Sequence, residues 1–328
     1  MSRLIKVLVI SLGLLMIFSL NSFAQPKPAV AMVTGGVAGT YFPIGGAICE
    51  VINEALPDIE VTALTGNASV ANINLIWQHE IESGLTQNNL ADWAYNATVL
   101  FEGKEPVKNL RAIASLFPEH IHIVGQDYAN INSVEDVRGK KISVSSPGSG
   151  GEADARTIFS VFGISFNDFE AVNLDQATSA DYMKDKQLDG FWATGGVPLN
   201  SILDISQQRD ITIVEFTDEE IEKIREKYPY YVKAVIPAGS YKGIDRDIQT
   251  VAVLAIWAVD EEVDEEVVYQ ITKALWRDVN LARIHLAHAK AVDITLETAL
   301  DGISIPFHPG AARYYKEVGM WNPETCLE

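Results

Sequence analysis

Positive charge is what this sequence has least of. Its 328 residues contain 25 lysines and arginines against 44 aspartates and glutamates, which gives a net charge of −19 at pH 7. Such an excess repels nucleic acids and anionic membrane surfaces, and no basic run along the chain offsets it. We therefore exclude nucleic acid as a partner. An anionic ligand would have to be held by local hydrogen-bond donors against an unfavourable overall field.

Cysteine and metal-binding patterns are also scarce. The two cysteines, Cys49 and Cys326, could pair in an oxidising compartment, but the sequence does not bring them together, so a disulfide and two free thiols both stay open. His120-x-His122 and His285-x-x-His288 each place two rings on one side of an element, yet neither has a third ligand nearby. We expect structural histidines, no bound metal and no cofactor.

Enzyme signatures are absent from the sequence. It contains no Gly-x-Ser-x-Gly elbow, no phosphate loop ending in Gly-Lys-Ser/Thr and no dinucleotide-binding fingerprint. Acidic residues are plentiful, but none falls in the distinctive arrangement of a paired-carboxylate hydrolase. We expect a protein that is not an enzyme.

A long apolar run occurs only near the N-terminus, over residues 7–20. Arg3 and Lys6 precede it, and small residues at Ser22 and Ala24 follow it, which is the pattern of a signal peptide over residues 1–24. The run is shorter than the ~20 residues that a membrane-spanning helix needs. We expect a periplasmic mature protein that is not inserted in the membrane, with 23 basic against 44 acidic residues and a net charge of −21.

Three glycine-rich segments are the most informative feature that is present. They read GVAGTYFP at 36–43, TGNASVAN at 65–72 and SPGSGGE at 146–152. Each combines glycine with hydroxyl or amide side chains and runs into a stretch of helical periodicity. A helix start offers free backbone N–H groups and the positive end of the helix dipole, and glycine lets that backbone approach a ligand closely. Three such starts in one chain predict a pocket for a carboxylate.

Strand and helix patterns alternate along the whole chain. This spacing indicates a mainly parallel sheet covered by helices, in which ligands lie at the carboxyl ends of the strands. The pattern predicts two α/β lobes, with lobe 1 over 25–124 and 250–328 and lobe 2 over 125–249. The chain is expected to cross between them at Leu110–Gln126 and around Ile236–Thr250.

The same residues resemble a known family. The three segments are followed, in order, by GKKISV at 139–144, DGFW at 189–192, GVP at 196–198, YP at 228–229, IPAGSY at 236–241 and HPGAARYY at 308–315. This order resembles the TAXI family of solute-binding proteins of TRAP transporters. The resemblance implies the class II periplasmic binding protein fold, with two hinge crossings, a ligand cleft between the lobes and a TRAP-type membrane permease as partner. Ala68 stands where the family usually has glycine.

Thirteen residues are candidates for ligand contact. They are Gly39, Thr40, Tyr41, Ser69, Asn72, Gln87 and Asn88 from lobe 1, and Ser149, Gly150, Gly151, Trp192, Gly196 and Pro198 from lobe 2. Structural alternatives stay open for several of them.

Thr40 is as well explained by capping a helix as by binding, because both use the same helix start. Gln87 and Asn88 suit an amino group or an amide, or a turn-stabilising role. Trp192 covers a ligand or fills a core. Arg156 is expected to form an ion pair with Glu152, four residues earlier on the same helix.

The sequence therefore predicts an extracytoplasmic receptor for a small organic anion. The ligand is expected to be an acidic amino acid such as glutamate, or a related dicarboxylate, delivered to a TRAP-type permease. An ABC-type binding protein is the alternative within the same class, and a periplasmic two-lobed enzyme acting on a small acid is the alternative outside it.

Overall fold

The computed structural model describes residues 27–327, so the predicted signal peptide over residues 1–24 lies outside the described residues. The described chain forms ten β-strands. They are β1 (Ala29–Val33), β2 (Glu60–Leu64), β3 (Ser83–Gln87), β4 (Leu110–Gln126), β5 (Lys141–Ser143), β6 (Glu170–Val172), β7 (Gly190–Gly195), β8 (Ile211–Ile213), β9 (Val232–Ile236) and β10 (Ile248–Asp260).

Ten α-helices lie between and after these strands. They are α1 (Tyr41–Ala55), α2 (Ser69–Trp77), α3 (Asn88–Asn96), α4 (Gly150–Val161), α5 (Gln176–Lys184), α6 (Asn200–Gln208), α7 (Asp218–Lys227), α8 (Glu265–Leu275), α9 (Asp278–Ile284) and α10 (Pro309–Glu317). Each of the three glycine-rich segments leads directly into a helix, as predicted. None of the helices in the described part of the chain is long and apolar enough to cross a membrane.

All ten strands join one sheet. Along it the order is β2-β1-β3-β10-β4-β7-β5-β6, with β9 paired to β10 and β8 paired to β4. The pairs β1–β2, β1–β3, β5–β6 and β5–β7 are parallel, whereas every pair that involves β4 or β10 is antiparallel. The prediction of a mainly parallel sheet is therefore wrong at its centre, because two long strands return through the middle and oppose their neighbours.

The two central strands connect the halves of the molecule. β4 has 17 residues and matches the predicted first crossing, Leu110–Gln126. The second crossing is β10, 13 residues long, which starts near the end of the predicted segment at Ile236–Thr250 and runs on to Asp260. The predicted lobe boundaries at 124/125 and 249/250 thus fall inside strands that both lobes share.

Separate cores lie on either side of these crossings. One buried cluster joins α1, α8 and α10 with the first strands, and two further clusters lie in the 121–253 part of the chain. Trp257 on β10 belongs to the first cluster and Trp192 on β7 to the second. Both tryptophans are fully buried. Ala153 of α4 belongs to the first cluster and Tyr228 packs against the first and the second, so the cores on the two sides are in contact. Cys49 and Cys326 are free and buried, and no disulfide joins them.

Candidate functional site

A cleft of about 460 Å³ lies where the two halves of the molecule meet. Its walls include the ends of the three glycine-rich segments, which come from both sides of the crossings. This volume is within the ~300–1,000 Å³ usual for small-molecule sites. The predicted residues that line it are Gly39, Thr40, Tyr41, Ser69, Gln87, Ser149, Gly150 and Gly151.

Four helices start at this cleft. The first residues of α1, α2, α4 and α5 are among its lining residues, and each helix has nine residues or more. The first N–H groups of a helix have no partner within it, and the helix dipole adds partial positive charge there. The sequence predicted three of these starts; α5, which begins after Asp175, is the fourth. Together they bring backbone N–H groups and partial positive charge to the wall of the cleft.

Ser149 shows how one of these starts is built. Its side chain caps α4 by accepting a hydrogen bond from the Glu152 N–H at 3.1 Å. The carboxylate of Glu152 in turn accepts one from the Gly148 N–H at 2.9 Å. These bonds fix the loop and leave the amides of Gly150 and Gly151 at the cleft.

Thr40 has a different role from the capping that sequence alone allowed. Its hydroxyl makes no cap hydrogen bond to α1 and instead accepts one from the Gly196 N–H across the cleft, at 3.0 Å. Close by, the Ala71 N–H at the start of α2 donates to the Gly148 carbonyl at 3.0 Å. Both bonds join lobe 1 to lobe 2, so the structure is a closed arrangement of the lobes.

A buried glutamate forms part of the cleft wall, and the sequence analysis did not select it. Glu119 lies on β4, is 4% exposed and accepts a hydrogen bond from the Tyr41 hydroxyl at 2.7 Å. Burial raises the pKa of Glu119 to about 8, opposed by the Tyr41 hydrogen bond and reinforced by the nearby Asp154. The pKa of Tyr41 is raised well above its usual value by burial and by Glu119.

A second buried carboxyl, Asp154 on α4, lies behind the lining residue Gln87. It accepts hydrogen bonds from the Tyr231 hydroxyl at 2.6 Å and from the Gln87 side-chain amide at 2.9 Å. Burial raises the pKa of Asp154 to about 6, while these donors oppose the shift. Because Gln87 comes from lobe 1 and Asp154 from lobe 2, this bond is another link across the closed cleft.

No lysine or arginine is among the described residues that line the cleft. Arg156, the nearest basic residue in sequence to the α4 start, pairs with Glu152 at 3.0 Å and stacks on the Phe166 ring. The expected ion pair with Glu152 is therefore present. The lining includes two acidic side chains, Glu119 and the α5 cap Asp175.

Five of the predicted contact residues lie away from the cleft lining. Asn72 donates to the carbonyls of Val33, Thr34 and Leu85, and so fixes α2 to the strand ends. Asn88 accepts from the Leu254 N–H and donates to the Gly302 carbonyl. The backbone takes both ends of the Asn88 amide and the N–H groups of Asn72, so these groups hold the fold together and do not line the cleft.

The other three belong to lobe 2. Trp192 packs on Phe159 with ring centroids 5.1 Å apart in a buried cluster, and its indole N–H donates to Thr194. Gly196 contacts Thr40 and is covered by the Lys290 side chain. Pro198 is half-buried just beyond it. The core-filling alternative for Trp192 is the one that the structure supports.

Ala68 adopts a conformation that suits glycine. Its φ of 62° and ψ of 178° lie in a region that residues with a Cβ atom rarely occupy. This is the position where the family resemblance implies glycine. The backbone keeps the glycine-type turn into α2 even though alanine occupies it, so the start of α2 still reaches the cleft.

Elsewhere in the described residues, His79, Asp260 and Glu262 place three donor atoms within 4.8 Å of one another. Asp260 is already bonded to His79 at 2.7 Å and to the Asn109 amide at 3.0 Å. These contacts account for the cluster as an ion pair at the end of β10. Among the histidine pairs named from the sequence, His122 bonds to the His120 carbonyl and to Tyr241, and His285 bonds to the Ile294 carbonyl. His288 accepts a hydrogen bond from the Lys290 N–H.

Comparison with known families adds to this picture. A profile of the NMT1-like family matches residues 32–319. The chain belongs to the NMT1-like family. The resemblance to the TAXI family stays a prediction.

Solved structures share the architecture of this NMT1-like chain. One described as a periplasmic transporter superposes with a TM-score of 0.55 at 11% identity, over 90% of this chain and 94% of the other. The alkanesulfonate-binding protein SsuA from Xanthomonas axonopodis pv. citri, bound to MOPS, gives 0.48 at 12%, over 93% and 98%. A Listeria monocytogenes protein provisionally named an L-cystine ABC transporter gives 0.48 at 12%, over 83% and 98%. The predicted two-lobed periplasmic binding protein fold is confirmed.

Proposed function

We propose that this chain is an extracytoplasmic receptor that binds a small organic carboxylate between its lobes and presents it to a membrane permease. The observation that carries the proposal is the convergence of four helix starts on one cleft without a basic side chain. Backbone N–H groups hold a carboxylate there without long, flexible cations, and closure of the lobes removes it from water.

Reversible binding follows from the way the lobes are joined. Thr40 and Gln87 on one side and Gly150 on the other meet only when the lobes are closed. A ligand that contacts both sets gains interactions in the closed form alone and shifts the population towards it. The family resemblance and the shared fold support this clamp as the working motion.

The type of permease distinguishes the two receptor alternatives, and the comparisons favour the ABC-type alternative drawn from the sequence. Among the three neighbours named above, one carries the name of an ABC transporter and none that of a TRAP system. An ABC-type permease is therefore our first candidate and the TRAP-type permease our second. The two differ in the membrane partner and not in how the ligand is held.

Two buried carboxyls beside a cleft keep the enzyme alternative worth testing, since raised pKa values are also found in general acids. Incubating the protein with candidate acids and analysing the mixture for products separates the two functions. We expect the acids to be recovered unchanged.

Binding itself is tested by a thermal-shift screen of small carboxylates, with calorimetry of the hits. A ligand at 100 times its dissociation constant stabilises by about 2.7 kcal/mol, which a shift in melting temperature detects. Ser149→Ala and Thr40→Ala should weaken binding, and Thr98→Ala, at an exposed residue away from the cleft, is the control. Failure of every carboxylate to shift the melting temperature would contradict the proposal.

A further inference from the structure

The polar groups of the cleft fall into two sets with opposite hydrogen-bonding character. The helix starts present backbone N–H donors, with Gly150 and Gly151 as examples. The side chains that line the cleft beside Glu119 present acceptors instead. A ligand that satisfies both sets needs an acceptor group and a donor group of its own.

The donors of the side-chain set are already used within the protein. The Tyr41 hydroxyl donates to Glu119, the Gln87 amide donates to Asp154, and the Gln176 amide donates to the Thr194 carbonyl at 3.1 Å. Each of these partners is an acceptor, so the two amides cannot be turned round without facing oxygen with oxygen.

Their acceptor atoms, in contrast, lack partners. Gln87 Oε1 and Gln176 Oε1 are buried without any hydrogen bond, and Gln87 is only 1% exposed. A buried polar atom without a partner is costly, and native proteins rarely keep one that nothing satisfies. These orphaned oxygens, together with the Glu119 carboxyl, point to a ligand that brings several N–H donors.

We propose that the cleft selects ligands carrying an ammonium group as well as a carboxylate, and that Glu119 is the residue that accepts the ammonium. The inference rests on the proposed function and names the ligand class: amino acids are preferred to the corresponding acids that lack the α-amino group. The carboxylate lies at the helix starts, and the ammonium lies between Glu119 and the orphaned amide oxygens.

The test compares matched pairs of compounds by calorimetry. Each pair differs by the amino group: L-glutamate and glutarate, L-aspartate and succinate, L-glutamine and glutaramate, L-leucine and 4-methylpentanoate. In the pair that binds best, we expect the amino acid to bind at least about tenfold more tightly, as a charge-assisted hydrogen bond to a buried carboxylate implies.

Glu119→Gln then removes the charge and keeps an acceptor for Tyr41. In this variant we expect the amino acid of the best pair to bind less than about threefold more tightly than its partner acid. The acid that lacks the amino group should bind as tightly as before, or more tightly. Glu219→Gln, in an exposed ion pair with Lys223 on α7, is the matched control and should keep the preference.

A measurement on the native protein covers the case in which Glu119→Gln does not fold. Calorimetry at pH 7 in buffers of different ionisation enthalpy should show that binding the amino acid releases a proton. If the acids that lack the α-amino group bind as tightly as their amino acids, this inference is overturned and the proposed function still stands. If neither the amino acids nor the acids that lack the amino group bind, the proposed function fails and this inference fails with it.

Discussion

The affinity for an amino acid should depend on pH through Glu119. The direction of this dependence shows whether Glu119 binds the ligand as a carboxylate or as a neutral acid. With a pKa of about 8, most of the free protein at pH 7 carries a neutral Glu119. An ammonium ligand needs the carboxylate, so binding must first remove the proton, and affinity falls as the pH drops below 8. For one proton and this pKa, the loss between pH 8.5 and pH 7 is about eightfold, or about 1.3 kcal/mol.

The other ionisable groups around Glu119 do not change protonation between pH 7 and pH 8.5. Burial raises the pKa of Tyr41 far above it, and Asp154, with a pKa of about 6, is mostly ionised at pH 7. The pKa of Asp175 is lowered by its hydrogen bonds to Thr178 although burial acts the other way, so it stays charged. His120, the next residue along β4, has its pKa lowered to about 4 by burial and is neutral.

The assay is isothermal titration at half-unit steps from pH 7 to pH 8.5, with the native protein and Glu119→Gln. The native protein should gain affinity with pH and the variant should give a flat profile. An affinity that decreases as the pH rises through 8 would refute the reasoning, because a neutral Glu119 would then be donating its proton to a ligand oxygen. Identical profiles for both proteins would refute it as well.

Three further predictions concern the backbone and the surface. Ala68→Gly should raise the melting temperature, because relief of a strain of order 1–3 kcal/mol exceeds the 0.5–1 kcal/mol of added chain entropy; an unchanged or lower value would contradict this. Gly150→Ala should weaken ligand binding at least about tenfold, since its Cβ would lie 2.6 Å from the Gln87 amide carbon, whereas Gly46→Ala meets nothing within 4 Å and is the control. Arg156→Ala should leave binding within about twofold in calorimetry, because an exposed ion pair contributes little; a large loss would place the guanidinium on the ligand.

Much of the fold follows from local patterns in the sequence. Ser149 and the glycines after it predict the start of α4, and the apolar run at 251–259 predicts the long strand β10. The antiparallel centre of the sheet could not be read in this way, because the direction in which β4 and β10 pair depends on contacts far apart in the chain. Periodicity identifies strands, and only the tertiary structure sets their neighbours.

The cleft illustrates the same limit at the level of single residues. Tyr41 and Gln87 were found because they adjoin glycine-rich or strand-end signals. Glu119 was missed because it lies inside a strand, next to His120, with no local motif to mark it. A carboxylate within a mostly apolar strand was the available signal. Conversely, Asn72 has the right residue type and spacing for ligand contact, but its side-chain N–H groups donate to the backbone carbonyls around it.

The strand that joins the lobes is also the strand that carries Glu119. β4 and β10 run side by side and are hydrogen-bonded to each other from Leu110 to His120, so any rotation of one lobe against the other has to twist this paired ribbon. If a protein of this fold evolves towards a new ligand by replacing residue 119, it therefore also changes the paired strands about which the lobes rotate. Changes of specificity and changes of opening angle should be inherited together in this fold, whereas changes at Ser149 leave the pivot alone.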